Sequence, residues 1–158
     1  MAKSVHQWIS SYGESHQNKT NKKIHWICVP LIMFTLLGLL SLLNFDITLN
    51  NNEYNINLAY ILITLAFIFY LKLSIALSIG MFLISAIQIL CIYQLELFFS
   101  STNLFIIYTI IFIIAWIGQF IGHKIEGQKP SFFEDLQFLL IGPAWLLSFI
   151  YQKIGIKY

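Results

Sequence analysis

The sequence predicts an all-α integral membrane protein: a bundle of about four transmembrane helices with a short C-terminal re-entrant or interfacial helix. Of the 158 residues, 58% are hydrophobic and only 10% are charged. A soluble domain carries about 25% charged residues, so a chain this apolar needs lipid as its solvent. The length fits one membrane domain over residues 1–158. The net charge of +2 is too small and too scattered to indicate a nucleic-acid partner.

Four apolar stretches have the length of a membrane crossing. A hydrocarbon core about 30 Å thick requires about 20 apolar residues in helical conformation. The predicted spans are residues 24–43, 56–71, 73–93 and 104–122. The second and third belong to one apolar tract, which as a single helix would measure about 57 Å and exceed one crossing. We therefore predict that the tract folds back at Lys72, whose ammonium group can reach the interface.

The two ends of the chain differ from these spans. Residues 1–23 are polar, which argues against a cleavable signal peptide. A fifth apolar stretch, residues 136–151, is short for a crossing and is interrupted by Gly142 and Pro143. We predict that this stretch forms a re-entrant or interfacial helix.

The lysines indicate how the predicted spans are oriented. The link between the first two spans and the link around Glu96 contain no lysine, whereas the alternate segments do. Those lysines are Lys3, Lys19, Lys22, Lys23, Lys72, Lys124 and Lys129. Cytoplasmic links carry an excess of basic residues. This pattern predicts that both termini lie on the cytoplasmic side, provided that residues 136–151 do not cross the membrane.

All four histidines fall at the cytoplasmic face of this topology. His25 begins the first span and His123 ends the fourth, so antiparallel spans bring them to the same level. His16 lies nine residues before His25, close enough to fold back towards it. Taken alone, each histidine would be interpreted as a residue that anchors its helix at the membrane interface, and we assign this role to His6. Three imidazoles converging from separate segments instead predict a metal site.

Polar residues accompany the histidines. We predict that Asn21 is the N-cap of the first span, which would make His25 the fourth residue of that helix. Glu126 follows His123 by three residues on the same helical face, so it could bind the metal or orient His123. Gln119 is a further polar neighbour.

The residues alone leave the metal and the reaction open. A zinc-dependent hydrolase acting on membrane lipid is one alternative, because three histidines and a water form a common catalytic zinc shell. A non-enzymatic haem-binding or lipid-binding membrane protein is another. The metal recovered with the protein, a requirement for O2 and a visible haem band would separate these readings.

Two motifs add to this picture. The first, Tyr-x3-His-x4-Asn-x3-His-x4-Pro, comprises Tyr12, His16, Asn21, His25 and Pro30. The second, Gln-Phe-x-Gly-His-x2-Glu-x3-Pro, comprises Gln119, Phe120, Gly122, His123, Glu126 and Pro130. Together they resemble the signatures of the membrane 2-hydroxy fatty acid dioxygenase family. Gly142-Pro143 matches a later family pair, whereas Ser131 replaces a frequent alanine. The resemblance covers nearly the whole chain.

The resemblance implies an iron(II)-dependent dioxygenase that converts a 2-hydroxy long-chain fatty acid and O2 into the fatty acid one carbon shorter. Our hypothesis for such a centre is iron ligation by His16, His25 and His123, with Glu126 as a fourth ligand or an outer partner. Residues expected to contact the substrate or support the ligands are Tyr12, Asn21, Gln119, Lys22 and Lys124. Relatives of this kind occupy the endoplasmic reticulum membrane in fungi and the inner membrane in bacteria.

Overall fold

The computed structural model describes residues 4–49, 52–127 and 132–158. Its elements are α1 (Val5–Glu14), α2 (Lys19–Ser41), β1 (Asn44–Leu49), β2 (Asn52–Asn57), α3 (Leu58–Leu73), α4 (Ile75–Phe98), α5 (Ser101–Glu126) and α6 (Phe132–Ile154). Helices dominate, so the predicted all-α class is confirmed. Pro130 and Ser131, which entered the motif comparison, lie outside the described residues, as do Lys3 and Lys129.

Three helices of the described part, α2, α4 and α5, are long and apolar enough to cross a membrane. The 16 residues of α3 form a shorter apolar helix, about 24 Å long at 1.5 Å per residue. Large side chains on the outer surface are exposed, such as Ile87 at 61% and Ile114 at 62%. Such a continuous apolar surface is typical of lipid contact. A fourth crossing by α3 and a re-entrant α6 stay predictions.

The apolar tract between residues 56 and 93 is divided close to Lys72. Ser74 is the one residue between α3 and α4, and its backbone is extended. Its hydroxyl accepts a hydrogen bond from the backbone N–H of Leu77, which caps α4. The rings of Phe67 and Phe82 lie 5.5 Å apart, so the two helices run back along each other.

Glycines bring α2 and α5 close together along their contact. A Cβ atom added to Gly118 would lie 2.6 Å from Sγ of Cys28, and one added to Gly122 would collide with Oδ1 of Asn21. Small residues four positions apart allow two membrane helices to approach closely. The first turns of α2 therefore lie directly against the last turns of α5.

The start of α2 differs from the prediction. Asn18, not Asn21, is the N-cap, and its side chain accepts from the N–H groups of Thr20 and Asn21. His25 is consequently the seventh helical residue rather than the fourth. The physical reason is that the carboxylate of Glu126, in α5, accepts a hydrogen bond from the backbone N–H of Asn18. This contact fixes the end of the α1–α2 turn at Asn18, so the helix begins at the next residue.

A β-hairpin joins α2 to α3 at the end of the bundle away from the histidines. β1 and β2 pair antiparallel, with Asn44 opposite Asn57. Asn57 donates to Oδ1 of Asn44 and to the carbonyl of Ser41, which ties the hairpin to the last turn of α2. Neither strand was predicted from the sequence, in which this segment was assigned only as a lysine-free link between two spans.

The C-terminal helix α6 contains the most continuously buried stretch of the described residues, positions 141–148. It packs against α1, α4 and α2. Tyr70 of α3 donates to the carbonyl of Leu140 at 2.6 Å, and Tyr151 donates to the carbonyl of Ala76 at 2.7 Å. Helix α6 thus closes one side of the bundle beside the histidines.

Candidate metal centre

Three histidines meet where the α1–α2 turn, the start of α2 and the end of α5 come together. One ring nitrogen from each of His16, His25 and His123 lies within 4.8 Å of the other two. The ring of His123 lies 5.3 Å from that of His16 and 5.1 Å from that of His25, centroid to centroid. His16 and His25 are fully buried and His123 is half-buried. The structure therefore brings together the three residues that the sequence singled out.

Backbone carbonyls determine which nitrogen of each buried ring faces the centre. Nδ1 of His16 lies 2.6 Å from the carbonyl oxygen of Tyr12, and Nδ1 of His25 lies 3.0 Å from that of Asn21. A carbonyl oxygen only accepts, so in the neutral rings both Nδ1 atoms carry the proton and both Nε2 atoms carry a lone pair. This carbonyl contact is the usual support of a metal-binding histidine.

The two Nε2 atoms lie 2.9 Å apart. Two lone pairs at that distance repel each other unless a cation lies close to both. His123 approaches the same point from α5. The donor set of three neutral imidazoles therefore fits a divalent transition metal.

The protonation state of His16 suits that role. Burial lowers the pKa of His16 to about 4, against the opposing effect of the hydrogen bond to the Tyr12 carbonyl. The nearby His123 lowers the pKa further. His16 is thus neutral at pH 7, the form in which an imidazole binds a metal.

An aromatic wall covers the buried side of the centre. The ring of Tyr12 stacks on that of His16, with centroids 4.2 Å apart and planes 11° apart. Trp145 of α6 packs on both, at 5.2 Å from each ring. A Cβ atom added to Gly142 would lie 2.9 Å from the hydroxyl of Tyr12, so glycine leaves room for the ring there. This wall separates the histidines from water on the α6 side.

Glu126 fastens the α1–α2 turn to α5. Its Oε1 accepts from the backbone N–H of Gln17 at 2.7 Å. Its Oε2 accepts from the N–H of Asn18 at 3.0 Å and from Nδ2 of Asn21 at 2.9 Å. Glu126 is not one of the residues whose ligand atoms converge. These contacts favour a positioning role over direct binding of a metal.

An apolar cavity begins beside His16 and His123 and continues into the bundle. Gln119 lines it one helical turn before His123 and is 5% exposed. Its Nε2 atom is buried and has no hydrogen-bond partner in the described part of the chain. The cavity therefore has a polar donor close to the histidines and apolar walls beyond them.

The predicted lysines lie outside this cavity. Lys22 is half-buried, Lys124 is exposed, and neither contributes to the cavity wall. Trp145 was not among the site residues predicted from the sequence. The Gly142-Pro143 pair was a usable signal for it, because Trp145 lies three residues after Gly142 on the same face of α6.

Comparison with known proteins identifies the family. No curated protein and no solved structure matches the chain. A family model described as 2-hydroxy-palmitic acid dioxygenase Mpo1-like matches residues 2–154, nearly the whole chain. Both motifs named above lie within the matched residues. The chain belongs to the 2-hydroxy-palmitic acid dioxygenase Mpo1-like family.

Proposed function

We propose that the chain is an iron(II)-dependent dioxygenase that oxidises a 2-hydroxy long-chain fatty acid to the fatty acid one carbon shorter. The observation that carries the proposal is the pair of Nε2 atoms 2.9 Å apart, with His123 beside them, at the head of an apolar cavity. The family name supports a dioxygenase and a 2-hydroxy acid as substrate.

The residues around the centre would have distinct roles. His16, His25 and His123 would hold the metal through one ring nitrogen each and leave positions for substrate and O2. A bound iron(II) ion supplies the redox chemistry that allows O2 to react with an organic acid. Tyr12 and Trp145 would exclude water from the buried side of the reacting groups.

The cavity suits an amphipathic acid with its head at the histidines and its alkyl chain in the bundle. The unpaired amide donor of Gln119 would bind the carboxylate or the 2-hydroxyl group. Phe120 lines the cavity and is 55% exposed, so the cavity reaches the outer surface where membrane lipid lies. Lys22 and Lys124, outside the wall, would attract the anionic acid to this face.

We extend the proposal to the membrane arrangement. The histidine end of the bundle carries Lys19, Lys22, Lys23 and Lys124, which supports a cytoplasmic site under the positive-inside rule. With α3 as the fourth crossing and α6 not crossing, both termini would lie on that side. The membrane would be the bacterial inner membrane, or the endoplasmic reticulum membrane in a eukaryote.

The decisive experiment tests which metal ion supports the reaction. The detergent-purified protein is stripped with a chelator and reloaded with Fe(II) or Zn(II), and O2 uptake is followed on adding 2-hydroxypalmitate. We expect uptake and the shortened acid with iron only. The atoms balance for one O2 per substrate when C1 leaves as carbon dioxide with one water.

Other outcomes would overturn the proposal. Lipid hydrolysis by the zinc form without O2 uptake would favour a membrane hydrolase. A visible haem band in the purified protein would favour a haem-binding protein. Failure to bind any divalent metal would mean that the three histidines are not a metal centre.

A further inference from the structure

The apolar cavity follows one face of α2 away from the histidines. Its wall on that helix is formed by Val29, Ile32, Met33, Leu36 and Leu37, at spacings of three, one, three and one residues. This spacing keeps all five on one helical stripe. The cavity is therefore a channel parallel to α2 rather than a pocket confined to the histidines.

We propose that the far end of this channel sets the maximum acyl chain length of the substrate. Leu37 closes the channel at that end, and the small side chain of Ala66 keeps it open midway. The inference rests on the proposed function, because it assumes an acid whose head lies at the histidines. It goes further by assigning specificity to residues at the opposite end of the cavity.

The length of α2 allows an estimate of how many acyl carbons the channel can hold. From His25 to Leu37 the helix rises about 18 Å at 1.5 Å per residue. A fully extended polypeptide advances at most about 3.6 Å for its three backbone bonds, or about 1.2 Å per bond. An extended alkyl chain has a similar zigzag, so an acid with its head at the level of His25 and its end at Leu37 would have about 15 carbons, of which about ten would lie along the channel wall that begins at Val29. That capacity suits a long-chain rather than a medium-chain acid.

A buried cluster closes the channel beyond that point. Leu37, Ala59 and Ile92 are 4%, 0% and 1% exposed and contact one another. Leu62 and Ile63, which line the channel from α3, pack against the same cluster. A longer acyl chain would have to displace close-packed side chains, and overpacking of that kind is unfavourable. Leu37 belongs to both the wall and the cluster, which makes it the stop.

Ala66 lies midway along the α3 wall, one helical turn from Tyr70 and one from Leu62. Tyr70 belongs to the histidine end, because it bonds to the carbonyl of Leu140 in α6. A larger side chain at position 66 would therefore block the channel before its far end.

The test uses Leu37→Ala, Ala66→Leu and the control Leu31→Ala, a 38% exposed residue of α2 outside the channel wall. Turnover is measured over a series of 2-hydroxy acids from medium to very long chains. Ala66→Leu should shift the optimum towards shorter acids by about four carbons, the length of one helical turn. Leu37→Ala should raise the relative turnover of acids longer than the wild-type optimum by about tenfold. The control should keep the wild-type profile.

A second readout separates this inference from the proposed function. Binding of labelled fatty acids of the same lengths, without the 2-hydroxyl group, is measured on the protein in lipid nanodiscs and needs no turnover. If wild-type protein oxidises no 2-hydroxy acid, the proposed function fails, whereas the binding series still tests the channel. If Ala66→Leu and Leu37→Ala leave both profiles unchanged, the channel does not set the acyl chain length. Should Leu37→Ala fail to fold, Leu37→Val replaces it.

Discussion

Polar residues at the two ends of α2 differ in the exposure of their surroundings. At the first end, Asn21 and His25 are completely buried, and both contact partners on other segments, Glu126 and His16. At the last end, Ser41 is also buried, but its partner Glu96, to which it donates at 2.7 Å, is exposed, as are most of the described side chains of the neighbouring hairpin. Burying a polar group is unfavourable unless it is paired. The first end therefore fits the proposed metal centre, and the last end fits an interface with water.

The largest effect should come from removing a histidine. His25→Ala deletes one of the two facing Nε2 atoms, and we expect metal to be lost and turnover to fall more than about 100-fold, beyond the effect of an outer partner. Metal content by mass spectrometry measures it. His6→Ala, an exposed histidine of α1, is the control and should keep both. Retained iron in His25→Ala would refute the ligand assignment.

The next effect should come from Glu126. In Glu126→Gln one acceptor oxygen becomes an amide donor that faces the N–H groups of Gln17 and Asn18. We expect metal affinity to fall 10- to 100-fold, as is typical of outer partners. Competition with a chelator measures the affinity. Glu14→Gln, an exposed carboxylate at the end of α1, is the matched control. Complete loss of metal would instead support Glu126 as a direct ligand.

A methyl group at the helix contact should act on both stability and binding. In Gly122→Ala the new Cβ collides with Oδ1 of Asn21, and overpacking costs about 1–3 kcal/mol. We expect a lower Tm and about tenfold weaker metal binding. Gly118→Ala meets Sγ of Cys28 instead and should lower Tm while leaving the metal in place. Equal metal loss in both variants would contradict the local role of Gly122.

A smaller effect is expected for Gln119. In Gln119→Leu the amide donor is removed, which should raise KM for the 2-hydroxy acid about tenfold, the worth of one hydrogen bond to a charged group. Metal content should not change. Gln119→Glu should raise KM more, because it opposes one carboxylate with another. An unchanged KM in both variants would show that the substrate head lies elsewhere.

The smallest effect should lie at the hairpin end. Ser41→Ala removes the hydrogen bond to Glu96, and we expect about 0.5–1.5 kcal/mol less stability. Turnover and metal content should stay at wild-type values. Thermal unfolding of the iron-loaded protein gives the first quantity and O2 uptake the second. A loss of turnover in Ser41→Ala would contradict the prediction that the hairpin end of α2 takes no part in the reaction.

The sequence predicted most of the histidine end. His16, His25 and His123 were expected to meet because their positions follow from helix ends and apolar lengths, which a sequence reports well. The cap of α2 was misassigned because Asn18 and Asn21 have the same capping chemistry. Only the contact of Asn18 with Glu126, over one hundred residues away, decides between them. Such long-range contacts leave no local pattern.

The hairpin was missed for a different reason. Its strands include many asparagines, which are depleted in strands and favoured in turns. The pairing of Asn44 with Asn57 depends on the end of α2 lying beside the start of α3. The short polar helix α1 was also missed, because its capping box of Ser4 and Gln7 lies in a segment judged only by its polarity.

The wide separation of the histidines along the chain has a consequence for biogenesis. His25 is synthesised with α2, the first helix long and apolar enough to cross a membrane, whereas His123 emerges almost one hundred residues later. Trp145, which covers His16, comes later still. Under the proposed function, a nascent chain would carry an incomplete donor set until α5 is made, so the metal would be bound only after the bundle has formed. Chains that end before α5 would lack His123 and would not complete the proposed metal centre.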